Sequence, residues 1–308
     1  MLAFLPSPAR GIVAALLLGI NTCFWCVPLF AVSLLKLGLP AKRVRALTNR
    51  ILNGIAGGWI ACNSGWMRLT QRTTWDVRGL EDLDPRGWYM VNCNHQSLVD
   101  IFVLQHLLNN RIPLLKFFLK RQLLYVPIMG LAWWALDFPF MRRHSGAYLR
   151  KHREKRFDDL ETTRRACEKF ALVPTSVTNF PEGTRFSADK HRIEHSPYRH
   201  LLKPKAGALA QSLSVLGGKF HWLLDVTIVY PNGAPSFWQF LCGNVQRIAV
   251  RARRLAIPPE FRTGDYAGDP QFRKSIERWL QDLWHEKDRQ IVALLDRDHL
   301  EPDRQDGV

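Results

Sequence analysis

The 308-residue chain is 47% apolar and 23% charged, a balance that excludes both a disordered polymer and a bundle of membrane helices. Its 43 Lys and Arg against 27 Asp and Glu give a formal net charge of +16, which points to an anionic partner: nucleic acid, anionic lipid or a phosphorylated substrate. Six Cys exclude a disulfide-rich secreted scaffold, and 11 Trp suit a surface with one apolar and one wet side, such as a membrane interface.

From Gly11 to Leu35 the chain carries no charge over 25 positions. As a helix this stretch is about 37 Å long, enough to cross a hydrocarbon core of about 30 Å. The run continues through Trp25, Pro28 and Phe30 into Leu34 and Leu35, which favours an uncleaved anchor over a signal peptide with its shorter apolar core. Lys36, Lys42, Arg43, Arg45 and Arg50 come after it and only Arg10 precedes it, so the positive-inside rule places the carboxyl side of this helix in the cytoplasm. A second uncharged run, 51–67, is rich in Gly and Asn. It reads as an interfacial or re-entrant helix, with a second span or a buried helix of the domain as alternatives. Cys23 and Cys26, one turn apart with no second pair, read as small apolar fillers rather than a redox or zinc site.

After about residue 75 strands and helices alternate. The pattern predicts strands over 88–91, 175–180, 224–230 and 245–252, and helices over 98–108, 157–170 and 205–216. A last helix carries Phe272, Ile276, Trp279, Leu280, Leu283 and Trp284 on one stripe. In 245–252, Ile248, Val250 and Ala252 share one face, and Arg247, Arg251 and Arg253 the other. The fold class expected is α/β, a central mostly parallel sheet flanked by helices and preceded by an N-terminal membrane-anchoring helical segment. The expected organisation is an anchoring region over 1–70, a catalytic domain over 71–295 and a polar tail over 296–308.

Chemistry concentrates in two blocks. Asn94-His95-Gln96-Ser97-Leu98-Val99-Asp100 comes after the first strand and enters a helix. With His95 in the turn, Asp100 lies about one helical turn later and can fold back on the imidazole, the base-and-orienter part of a catalytic triad. A substrate hydroxyl can stand in for the serine. The second block, Phe180-Pro181-Glu182-Gly183-Thr184-Arg185, comes after another apolar strand and offers backbone N–H groups and a guanidinium, a set that suits a phosphate. Between them lie Pro127-Ile128-Met129-Gly130 and Phe140-Met141-Arg142-Arg143, and later Val226-Thr227-Ile228-Val229-Tyr230-Pro231.

In this order the blocks resemble the glycerophospholipid acyltransferase family typified by lysophosphatidic acid acyltransferases. Asn94, His95, Ser97 and Asp100 match its first block, Phe140 and Arg143 its second, residues 180–185 its third at every position, and Pro231 its fourth. Arg142 stands where the second block usually has an acidic residue. The wording around 226–231, with Lys203-Pro204-Lys205 and Gly207 upstream, is similar to the lysocardiolipin-type branch and to bacterial inner-membrane relatives. The resemblance spans about 75–290.

It implies that His95 takes the proton of an acceptor hydroxyl as that hydroxyl attacks an acyl thioester, with Asp100 orienting His95. It implies that Glu182, Gly183 and Thr184 line the acceptor site and that Arg185, with Arg143 and Lys205, binds its phosphate. The expected reaction is transfer from acyl-CoA or acyl-carrier protein to a lysophospholipid, 1-acyl-glycerol-3-phosphate giving phosphatidic acid, with no cofactor and no metal. The expected partners are those two substrates and anionic membrane lipids, and no nucleic acid. The expected location is a bacterial inner membrane with the catalytic domain on the cytoplasmic side. A phospholipid transacylase working without a thioester donor is the alternative. Cys93 as an acylated nucleophile and a metal held by His95, Asp100 and Glu182 are weaker readings. Over 141–205 there are 16 Lys and Arg against 8 Asp and Glu, so half of the net charge gathers around the proposed phosphate site.

Overall fold

The computed structural model describes residues 2, 4–38, 41–141, 172–264, 266 and 268–300. The helix expected over 157–170 and Arg143 lie outside the described residues.

Strand β1 (Thr74–Arg78) pairs in parallel with the last strand, β8 (Arg247–Ala256). β8 runs antiparallel to β7 (Trp222–Val229). From there the sheet is parallel: β7, then β2 (Tyr89–Cys93), β6 (Ser176–Asn179) and β3 (Leu115–Phe117), giving the order β1-β8-β7-β2-β6-β3. A two-stranded ladder joins β4 (Leu119–Lys120) to β5 (Phe140–Met141). The architecture is α/β, as the alternation of strands and helices predicts. Very short strands such as β3, β4 and β5 carry no period to read.

Every residue of β2 is buried, as expected of a central strand covered on both sides. Its side chains alternate. Tyr89, Val91 and Cys93 join the core on one face, and Met90 the core on the other. β7 does the same, with Leu224, Val226 and Ile228 on the first face and Leu223 and Val229 on the second. Helix α1 (Ser7–Gly38), α2 (Lys42–Thr70), α3 (Val99–Leu108) and α4 (Met129–Ala135) cover the first face. α5 (Ala188–Ile193) comes after the second motif. α6 (Gly207–Leu216) and α8 (Pro270–Leu300) cover the second face, and α7 (Phe237–Leu241) lies near the start of α1. α8 continues through Leu300, so the stretch 296–300, expected as part of the polar tail, is helical.

Among the described residues, α1 is the helix long and apolar enough to cross a membrane. It is also held on the domain at both ends. Near its start the Ser7 hydroxyl donates to Asn244 at 2.6 Å, and Gly11 is so close to Cys242 and Trp238 that a Cβ there would lie 2.6 Å from the Cys242 sulfur. Near its end Lys36 Nζ lies 2.5 Å from Asp137 Oδ2 and 3.4 Å from the Ala135 carbonyl. Along its length it packs antiparallel on α2, where Asn21 donates to Trp59 O and Asn63 Oδ1, and Gly58 leaves room for the Trp25 ring. The 51–67 run lies within α2, which sends Leu52, Ala56, Trp66 and Met67 into the same core as β2 and α3. In its packing this run is a helix of the domain. The other flank of α1 presents Ile12, Leu16, Ile20, Phe24, Val27 and Leu34 outward.

On the second face two odd-numbered positions of β7 are polar, and α8 answers them. Lys287 is fully buried; its Nζ lies 2.9 Å from Asp225 Oδ1 and donates to Val226 O at 2.6 Å and Thr227 Oγ1 at 3.2 Å. Arg253 of β8 reaches the other Asp225 oxygen at 2.7 Å. Two of the ammonium protons are used in hydrogen bonds and the charge is met by Asp225, as a lysine without water requires. Lys287→Met leaves the buried Asp225 with one cation in place of two. Urea unfolding should show a loss of about 3–5 kcal/mol, and an unchanged midpoint would show that the pair does not hold α8 to β7.

Candidate active site

β2, β6 and β7 are parallel neighbours, so their carboxyl ends lie along one edge of the sheet, the usual place for a site in such folds. The two sequence blocks and Pro231 come directly after these three strands. The structure thus brings His95, Asp100 and the 180–185 turn together.

Beyond Cys93 the main chain leaves the ladder, and the Asn94 side chain takes its place. Asn94 Nδ2 donates to Ile228 O at 2.8 Å, and Ile228 N donates to Asn94 Oδ1 at 2.9 Å. This buried amide extends the β2–β7 pairing by one step and fixes where the next residue begins. That residue is His95. Its Nδ1 lies 2.9 Å from Asp100 Oδ2. An ionised carboxylate only accepts, so Nδ1 carries the proton and Nε2 is the basic nitrogen.

Asp100 has no exposed surface, so donors must take the place of water around its oxygens. Gln96 N at 2.7 Å and Ser97 N at 2.9 Å also donate to Oδ2, and the Tyr230 hydroxyl donates to Oδ1 at 2.7 Å. The turn itself is pinned by Ser97, whose hydroxyl donates to Pro235 O at 2.5 Å. Burial and the Asp100 charge push the Tyr230 phenol well above its ordinary value, so it stays a donor. The face of the His95 ring stacks on Phe180, with centroids 4.1 Å apart and planes 18° apart. The imidazole is thus fixed by one edge and one face.

Glu182 joins the two blocks. It is fully buried; Oε1 accepts from His95 N at 2.8 Å and Oε2 from Leu202 N at 2.9 Å. Phe186 N donates back to His95 O at 2.7 Å. With both oxygens on backbone N–H groups, Glu182 ties His95 to the 202–205 segment. Burial pushes its carboxyl up to about 7, against the pull of the two N–H donors. Native protein then holds this proton more tightly than the unfolded chain, so ionising Glu182 costs stability as pH rises from about 4.5 to 7.

Gly183 sits at φ +70°, a left-handed conformation that glycine takes without a Cβ penalty, and it turns the chain after β6. Past it Arg185 is exposed. Lys190 of α5 donates to Thr184 Oγ1 at 2.8 Å and Arg185 O at 2.9 Å, which orders the turn and sets a second cation in it. Lys205 N donates to Pro181 O, and its Nζ lies 3.4 Å from Glu182 O and 3.8 Å from Glu194. Cys93 is buried, and desolvation raises its thiol well above the ordinary value, which suits a core side chain and not a nucleophile.

The acyltransferase family model matches residues 74–230, half of the chain, with His95, Asp100, the 180–185 turn and Tyr230 inside the match. The chain belongs to the acyltransferase family. Relatives of this acyltransferase include the 1-acyl-sn-glycerol-3-phosphate acyltransferase gamma of Mus musculus, 27% identical over 72% of this chain and 57% of that protein. They also include lysocardiolipin acyltransferase 1 of Danio rerio, 23% identical over 92% of this chain and 70% of that one. The chain spans about half the length of the gamma-type relatives it matches. The crystal structure of the 1-acyl-sn-glycerophosphate (LPA) acyltransferase PlsC from Thermotoga maritima aligns over 90% of this chain and 97% of its own, with a TM-score of 0.49 and 15% identity.

Sequence reasoning gave no role to Tyr230 or Lys190. For Tyr230 a signal was present: it continues the even-numbered run 224, 226, 228 that faces α3, the helix bearing Asp100. Tyr230→Phe deletes a donor from a buried carboxylate, worth about 1.5–3 kcal/mol. Acyl transfer by this variant should fall in kcat about tenfold with the acceptor KM little changed. The acid limb of its pH profile should move upward, because a carboxylate with one donor fewer draws the imidazolium proton more strongly. A loss of stability with an unmoved pH profile would reduce Tyr230 to a packing residue.

Proposed function

We propose that this acyltransferase moves a fatty acyl group from an acyl thioester to the free hydroxyl of a lysophospholipid, 1-acyl-glycerol-3-phosphate giving phosphatidic acid. The observation that carries the reading is the Nδ1-protonated His95, braced by Asp100 and Phe180, beside a cation-bearing turn that Glu182 ties to it. A general base next to a phosphate-sized set of donors fits an acceptor that carries both a hydroxyl and a phosphate.

In this reaction His95 Nε2 takes the hydroxyl proton as the oxygen attacks the thioester carbonyl. The C–O bond forms, the tetrahedral intermediate collapses, the C–S bond breaks, and the imidazolium returns the proton to the leaving thiolate. Asp100 stabilises the imidazolium between the two steps. Arg185, with Lys190 and Lys205 around the same turn, holds the acceptor phosphate, and Arg143 is the further cation that the sequence pattern offers. Glu182, Gly183 and Thr184 shape the turn. Acyl-CoA and acyl-carrier protein both present the thioester that this mechanism needs, and no cofactor enters.

The acceptor and its product are lipids, and the outward apolar flank of α1 supports work at a membrane. Because both ends of α1 are tied to the domain, we read the helix as lying along the bilayer interface with the catalytic domain seated on it. The excess of cations after residue 35 favours the cytoplasmic leaflet, and the bacterial inner membrane is the location that the resemblance suggests.

Labelled oleoyl-CoA and lysophosphatidate test the reaction. Label should enter phosphatidate, and His95→Ala should lower single-turnover transfer by about 10²–10⁴-fold with circular dichroism unchanged. Cys93→Ala should keep most of the activity. Wild-type transfer in His95→Ala, or an acyl-cysteine at Cys93, would contradict direct attack. Transfer from an unlabelled phospholipid in place of the thioester would favour a transacylase.

A further inference from the structure

Residues 121–135 leave the core and return to it. The β4–β5 ladder closes the base of this excursion, with Leu119 opposite Phe140 and Lys120 opposite Met141. A 3-10 turn (Arg121–Tyr125) leads out, and α4 leads back. The side chains are sorted against the rule for a water-soluble surface. Small residues point in: Gly130, Ala132 and Ala135 are buried. Large apolar residues point out: Tyr125 is 75% exposed, Leu131 57% and Trp134 44%, with Val126 and Ile128 beside them.

The excursion is built, not slack. Gly130 N donates to Val126 O at 2.8 Å, and a Cβ on Gly130 would lie 2.0 Å from Leu124 O, so a glycine is required there. Ile128 holds φ at +62°, a strained conformation for a β-branched residue. No acidic residue occurs between 120 and 136, and Lys120 and Arg121 are exposed at its base. Asp137, just beyond, is ion-paired to Lys36 of α1, so the base of the excursion is tied to the helix whose outward flank is also apolar.

We propose that residues 121–135 form a second lipid-inserting element, in which Tyr125, Leu131 and Trp134 enter the interfacial layer of an anionic bilayer beside α1. Exposed apolar side chains on a rigid, cation-flanked, acid-free tip match the two parts of such a surface, hydrocarbon below and anionic headgroups above. The base of the excursion also leads to the catalytic ring. Phe138 stacks on Phe117 with centroids 6.4 Å apart, Phe117 on Phe180 at 6.0 Å, and Phe180 on His95 at 4.1 Å. Insertion of the tip therefore sets the height of His95 above the lipid. This inference rests on the reading of the chain as an enzyme of lipid substrates.

The test places p-benzoylphenylalanine at position 125 or 131 of the full chain. Controls carry it at 16, on the outward flank of α1, and at 278, on α8 across the sheet. Each protein is irradiated on vesicles of phosphatidylethanolamine and phosphatidylglycerol, and adducts are read by mass spectrometry. Phospholipid adducts at 125 and 131, with none above background at 278, are the expected result. Lipid adducts at 16 alone, or adducts at 125 and 131 that join two copies of the chain, would overturn the proposal. Transfer to a short-chain soluble lysophosphatidate, assayed on the same proteins, reports separately on the enzymatic reading.

Discussion

A carboxylate buried without water is tolerable only if donors replace the water, and Asp100 is such a carboxylate. Its donors come from four places: the His95 ring, the Gln96 and Ser97 amides and the Tyr230 hydroxyl. Each makes a demand on the fold. The amides require the 95–99 turn to wrap around the carboxylate before α3 begins. Tyr230 requires β7 to lie beside β2 in the observed register. The His95 ring, which is 16% exposed, inherits its tautomer and direction from the rest.

Glu182 poses the same problem with fewer donors. Two backbone N–H groups serve its two oxygens, and burial still pushes the carboxyl up to about 7. Asp100 is turned to the His95 ring, whereas Glu182 bridges the His95 and Leu202 amides and so ties the two motif blocks across neighbouring strands. Farther from the substrate, Asp225 is held by Lys287 and Arg253, so that α8 is fastened to the strand that delivers Tyr230. The line from α8 through β7 to Asp100 runs through the Lys287–Asp225 ion pair and the Tyr230–Asp100 hydrogen bond.

Much of this was legible in the sequence. The strands over 88–91, 175–180, 224–230 and 245–252 correspond to β2, β6, β7 and β8, because long apolar or alternating runs carry their own period. His95 and Asp100 could be paired because a strand-to-helix turn lets the carboxylate fold back on the imidazole and because the blocks around them resemble those of the acyltransferases. The residues that hold them could not be found by spacing. Tyr230 is 130 positions from Asp100, and Asn94 meets Ile228 over 134. Such contacts depend on strand order, which local periodicity does not contain. α1 shows the same limit: its length was readable, but the ties of Ser7 and Gly11 to 242–244 and of Lys36 to Asp137 were not.

The central claim is that Asp100 fixes His95 with its proton on Nδ1 and leaves Nε2 as the base. Nitrogen-15 NMR of histidine-labelled protein measures this directly, with His95→Ala identifying the signal. Above the titration of the ring, the account predicts a protonated Nδ1 and a bare Nε2 for His95, with the Nδ1 proton shifted downfield by its carboxylate partner. A protonated Nε2 with a bare Nδ1, or a rapid average of the two tautomers, would contradict it.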